Sequence, residues 1–142
     1  MDCLECVMQD FTRLRVWQRA HELAVQVAQV LADRQVQRRL APYRATVGQL
    51  RRSSTSVSAN IAEGCSQPSQ EQFARFLAIA IGSAAETQNH LLFLRDTNAL
   101  PPGVADVLLA QIEDFRPALI KLHATVVAQS RARRSNTNSG TL

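Results

Sequence analysis

Five arginines, Arg38, Arg39, Arg44, Arg51 and Arg52, fall within fifteen positions of a chain that holds fifteen arginines and one lysine. A guanidinium stays charged at any relevant pH and presents a planar fork of donors that matches two phosphate oxygens at once. Arginines at this density therefore suit the backbone of RNA or DNA. Such contacts read no base edge, so binding would tolerate sequence and weaken with salt. Tyr43 is the one aromatic residue among them, too few to stack the bases of a single strand. The plainer alternative is a solvated basic surface, its arginine bias set by a GC-rich genome.

Other chemistries find less support. His21, His90 and His123 share no E-x-x-H spacing, and the serines of LRRSSTSVSANIAEGC lack a glycine-framed nucleophile turn or an evident base. No glycine-rich loop is present to cradle a nucleotide, so neither an enzyme nor a cofactor is expected. Cys3 and Cys6 form a C-x-x-C, but only Cys65 remains to join them, and a zinc site would need a distant further ligand. An odd cysteine count with no legible secretory leader points to a reducing cytoplasm. No stretch approaches the ~20 apolar residues that a membrane-spanning helix needs.

The charge is uneven. The net +4 gathers +7 over residues 11–52 and +3 over 131–142, against −3 over each of 1–10 and 53–130. A length of 142 residues is enough for one self-sufficient core. With 5% aromatics, five glycines and five prolines, the composition is that of an all-α protein.

Apolar residues recur at helical spacing from 11 to about 35, through Leu14, Trp17, Ala24 and Leu31, and Val16, Ala20, Leu23, Val27 and Val30. Trp17 reads as a core anchor. The pattern fails between Arg38 and Arg44, where Pro42 bars continuation, so a turn is expected. The serine-rich stretch could be a polar linker, but Val47, Leu50, Ser54, Val57 and Ile61 step by 3, 4, 3 and 4, which makes it a helix. It should end at Gly64 in a left-handed conformation, with Pro68 just beyond. Ser69 and Gln72 form a capping box for a third helix with the seam Phe73, Leu77, Ala80, Ala84, Thr87, Leu91 and Leu94. Ile79, Ile81, Leu92 and Phe93 lie off that seam, more apolar surface than one core can cover, and are assigned to an oligomer interface. DTNALPPG marks a loop. A fourth helix then runs from about Pro102 to Ser130, with a kink or break near Asp114 caused by Pro117.

Residues 1–10 are thus an N-terminal extension, 11–130 an up-down-up-down antiparallel four-helix bundle, and 131–142 a mobile basic tail. At one pole of such a bundle Arg34 and Arg95 would join the five arginines. Among polar residues near the seams, Asn60, Glu63, Arg75 and Glu86 are assigned structural hydrogen bonds and ion pairs. Glu86 is expected to face Arg51 or Arg52 across the second and third helices, and Arg75 to face Glu71 or Glu63.

The stretches LRVWQRAHELA (14–24), QLRRSSTSVSANIAEG (49–64) and QFARFLAIAIGSAAET (72–87) resemble the four-helix bundle proteins encoded in intervening sequences of bacterial 23S ribosomal RNA genes. The likeness spans residues 11 to 128. These proteins look like relatives of the accessory variability determinants of diversity-generating retroelements, pentameric barrels that bind nucleic acid and partner a reverse transcriptase. The resemblance implies a homopentamer with a basic surface. It departs at 35–44, where only Pro42-Tyr43 survives of the family's aromatic-proline and acidic-Tyr-Gly elements, and at Pro117.

The sequence thus predicts a non-catalytic, oligomeric nucleic-acid-binding or adaptor protein of the cytoplasm. The alternative is a protein-interaction scaffold whose working surface is the apolar third helix. A small-ligand site in the bundle interior is a third reading, and the small-residue seams leave it little room.

Overall fold

The structure is a computed structural model and describes residues 10–140. The Cys3–Cys6 pair and nearly all of the 1–10 extension lie outside them. Every regular element among the described residues is helical: a 3-10 turn at Phe11–Arg13, α1 (Arg15–Ala32), α2 (Arg34–Leu40), a 3-10 turn at Ala41–Tyr43, α3 (Arg44–Cys65), α4 (Gln70–Asp96) and α5 (Pro102–Ser139).

The four long helices form a closed antiparallel bundle. Ser53 and Ser56 of α3 meet Thr87 and Ser83 of α4, and Arg95 and Glu71 of α4 reach Asp106 and Arg134 of α5. Arg19 and Gln26 of α1 meet Asp114 and Gln111 of α5, which closes the ring. The core is the set of faces read from the spacing. Ala20, Leu23, Ala24, Val27 and Leu31 are buried on α1, and the whole α4 seam from Phe73 to Leu94 is buried. Trp17 is only half-buried at the edge of this core, edge-on to Phe11 and stacked on His21.

The serine-rich stretch is helical and its small polar residues line the α3–α4 contact. The Thr87 hydroxyl donates to Ser53 Oγ at 2.9 Å, and Ser56 and Ser83 share a hydrogen bond of 2.9 Å. Asn60 Nδ2 donates to Ser56 Oγ and to the Ser56 carbonyl, so the buried hydroxyls are satisfied while the backbones stay close.

Four boundaries differ from the sequence reading. Residues 35–44 are no open turn: the Asp33 carboxylate accepts from the N–H groups of Gln35 and Val36 and starts α2, which buries Val36 and Leu40 one turn apart. Pro42 sits at the start of the following 3-10 turn, where its missing donor costs nothing. Gly64 is not left-handed. It lies inside α3, and an added Cβ would come 2.8 Å from Phe73 Cδ2 and 3.0 Å from Phe76 Cβ. The left-handed residue is instead Asn98, φ 59°, at the end of α4, where Ala99 N–H bonds the Leu94 carbonyl and Asn98 N–H that of Arg95.

The fourth difference is α5, which passes through Pro117 unbroken and continues to Ser139, taking in most of the segment read as a tail. Burial nevertheless stops at about Ser130, and residues 131–139 are exposed, with Arg134 still paired to Glu71 at the start of α4. Ser69 caps α4 as expected, accepting from Gln72 N–H and donating to Gln72 Oε1.

Candidate nucleic-acid interface

The end of α1, all of α2, the start of α3, the end of α4 and the start of α5 share one pole, which gathers the arginines from Arg34 to Arg52. Arg34, Arg38, Arg44, Arg51 and Arg52 are exposed there and in no ion pair among the described residues. The nearest acid in sequence, Asp33, spends its carboxylate on the α2 N-terminus.

Two arginines of the pole have structural employment. Arg39 donates to the Asn98 carbonyl at 2.8 Å and so ties α2 to the turn after α4. Arg95 lies between Asp96 and Asp106, and those carboxylates, Asp96 foremost, hold its charge on more firmly than usual. A guanidinium already matched by two carboxylates contributes little to a phosphate site. Arg95 therefore does not crowd in with the others.

The expected polar pairs also rearrange. Glu86 meets His90 one turn along its own helix rather than Arg51 or Arg52. Glu71 pairs with Arg134 of α5, which leaves Arg75 exposed and in no ion pair among the described residues. The Glu63 carbonyl accepts from Ser66 and Gln67, and its side chain is exposed. Of the four apolar residues assigned to an interface, Ile79 and Phe93 point outward, each 46% exposed. Ile81 and Leu92 are half-buried and pack on the chain's own core. Their pairing with neighbouring helices, invisible in a single helical seam, takes them partly out of reach.

Arg51 and Arg52 face different ways, because adjacent residues on a helix are about 100° apart. Arg51 turns toward α1 and borders two grooves. One, of about 310 Å³, is lined by Ala24, Val27, Ala28, Arg51, Ser54 and Thr55. The other, of about 370 Å³, has Leu31, Leu40 and Val47 for its apolar lining and Arg44 and Arg51 for its charge, with Gly48 between them on α3. Arg44, Gly48 and Arg51 stand at i, i+4 and i+7, one face of the helix. This groove was missed in the sequence. Its one signal is a glycine inside a helical stretch.

Gly48 has no packing reason to be glycine, since nothing lies within 4 Å of where a Cβ would sit. Alanine there is expected to raise stability by about 0.5–1 kcal/mol, the usual helix-interior difference, with a matching rise in the urea midpoint. An unchanged or lowered midpoint would mean that the backbone at this position is not free to take a side chain.

Among the described residues no group of three histidine, cysteine or acidic side chains is placed to hold a metal ion. His21, His90 and His123 sit on α1, α4 and α5 respectively. No described helix is long and apolar enough to cross a membrane.

Comparison with known proteins adds a family and a fold. The sequence model of the 23S rRNA-intervening sequence proteins matches residues 12–121. A crystal structure of a protein with unknown function from the S23 ribosomal protein family, from Bacteroides thetaiotaomicron, superposes with a TM-score of 0.65. The two are 24% identical, with 76% of this chain and 97% of that one covered, a level that establishes the shared bundle and no more. No curated protein matches the sequence.

Proposed function

The chain belongs to the 23S rRNA-intervening sequence protein family, and we propose that it is a non-catalytic, oligomeric protein that holds RNA or DNA by its phosphate backbone. The observation that carries this is the set of guanidiniums at one pole, Arg34, Arg38, Arg44, Arg51 and Arg52, exposed and unmatched by acids. Unpaired arginines repel one another, and a polyanion is the partner that relieves this over a wide surface. Arg38, Arg44, Arg51 and Arg52 are the contacts. Arg39 positions them by securing α2.

Self-association multiplies the pole. The family likeness favours a homopentamer, working in the cytoplasm, with a reverse transcriptase as the further protein partner it suggests. Ile79 and Phe93 are the outward apolar groups for the subunit contact, with Gly82 between them on the same face of α4 and open space where its Cβ would be. That same surface favours a second reading, a protein-interaction scaffold whose arginines are incidental.

Filter retention of generic RNA over a salt series tests the first reading. Affinity should fall steeply with salt, and the double substitution Arg44→Glu with Arg51→Glu should cost about 100-fold or more. The log–log salt slope should shrink by about 1.4 for two lost contacts to a single strand. Retention indifferent to salt, or none at low salt, rejects nucleic-acid binding. Protein capture that survives the double substitution then favours the scaffold.

A further inference from the structure

The groove between α1, α2 and α3 offers more than charge. A duplex meets a protein with a convex ridge of phosphates, its bases stacked out of reach, and a basic surface is all that such a ligand needs. Here the two unpaired guanidiniums of Arg44 and Arg51 instead flank a recess of about 370 Å³ floored by Leu31, Leu40 and Val47. That volume lies in the range of small-ligand sites and suits something the size of one nucleotide. An apolar floor beneath a pair of cations asks for a ligand with an anionic end and a flat, weakly solvated body.

Gly48 is the second observation. It stands between the two arginines on the same helical face, in a helix interior where glycine is unfavourable, and the chain itself puts nothing near it. Its effect is to open the recess: any side chain would project between the guanidiniums. Gln37, whose Nε2 donates to the Leu31 carbonyl at 3.2 Å, borders the same recess and leaves its side-chain oxygen to accept from a ligand.

We propose that this groove seats a single unpaired nucleotide, its phosphate between Arg44 and Arg51 over Gly48 and its base on half-buried Val47, with the edges of Leu31 and Leu40 beneath, so that the protein prefers single-stranded to duplex nucleic acid. The inference rests on the nucleic-acid reading above and narrows it. Aliphatic side chains here take the place of the aromatic platforms on which single-strand sites usually stack bases.

Fluorescence anisotropy with labelled oligouridine and an RNA duplex of equal length tests the proposal on the intact protein. The unsubstituted chain should bind the single strand at least about tenfold more tightly, and uridine monophosphate should compete where equimolar inorganic phosphate does not. Gly48→Leu changes no charge and fills the recess. It should bring single-strand affinity down to the duplex level with helical circular dichroism and duplex affinity unchanged, and Gly48→Ala, which fills less, should fall between. If Gly48→Leu, folded, binds oligouridine as tightly as the unsubstituted chain, or if duplex and single strand bind equally, the nucleotide seat is wrong and backbone binding stands. If neither RNA binds, both readings fail. Displacement of oligouridine by an equally long polyglutamate as effectively as by unlabelled RNA overturns the seat in favour of an acidic protein partner.

Discussion

Replacing Gly64 by alanine is expected to destabilise the bundle by about 1–3 kcal/mol, the usual range for a methyl group forced into a filled core. The added Cβ would stand 2.8 Å from Phe73 Cδ2, 3.3 Å from Phe73 Cε2 and 3.0 Å from Phe76 Cβ. Phe73 is 2% exposed and cannot swing away, so α3 and α4 must separate where they leave their connecting turn. The loss opposes, and should exceed, the gain of about 1 kcal/mol that alanine brings to a helix interior. Urea unfolding measures it as a lower midpoint at constant slope. In a Phe73→Leu background the cost should shrink by at least about 0.5 kcal/mol, the coupling expected of residues in contact. An equal cost in both backgrounds would show that the ring is not what excludes the methyl.

Pro117→Ala is expected to act in the other direction, stabilising by about 1–3 kcal/mol. The helix continues through this residue, so proline costs it a hydrogen bond to the Glu113 carbonyl and sets its ring against the preceding turn. Pro117 and Ala118 are both exposed, and nothing buried is lost with the ring. Calorimetry should show the melting temperature rise by about 3 °C per kcal/mol for a chain of this size. A fall would mean that the bend imposed by proline is what lets Leu119 and Val126 reach the core, both of them fully buried beyond it.

The contrast among the glycines and this proline shows what a sequence conveys and what it withholds. The seams of α3 and α4 were legible because a buried face repeats every three or four residues whatever its neighbour is, and all seven residues from Phe73 to Leu94 are buried as spaced. The role of Gly64 was not legible. Glycine serves a left-handed turn and a close approach equally well, and only the position of Phe73 on the next helix decides between them. The short α2 was missed because its two buried residues, Val36 and Leu40, make too brief a repeat to count against Pro42. For the site, the concentration of arginine was visible and its division was not. Arg39 and Arg95 are drawn off by Asn98, Asp96 and Asp106, residues that lie 59, 1 and 11 positions away. Glu71 likewise goes to Arg134, 63 positions along.

The hydroxyl contacts between α3 and α4 carry one more consequence, for registry. Two helices touching only through leucine and alanine could slide along each other by a turn at modest cost, one apolar rung replacing another. Here Ser53 is matched to Thr87 and Ser56 to Ser83. A one-turn slip would keep at most one match and set the other serine against Leu91 or Ile79, while carrying Phe73 off the flat created by Gly64. The central pair is therefore keyed axially, and any motion the bundle makes must pivot elsewhere.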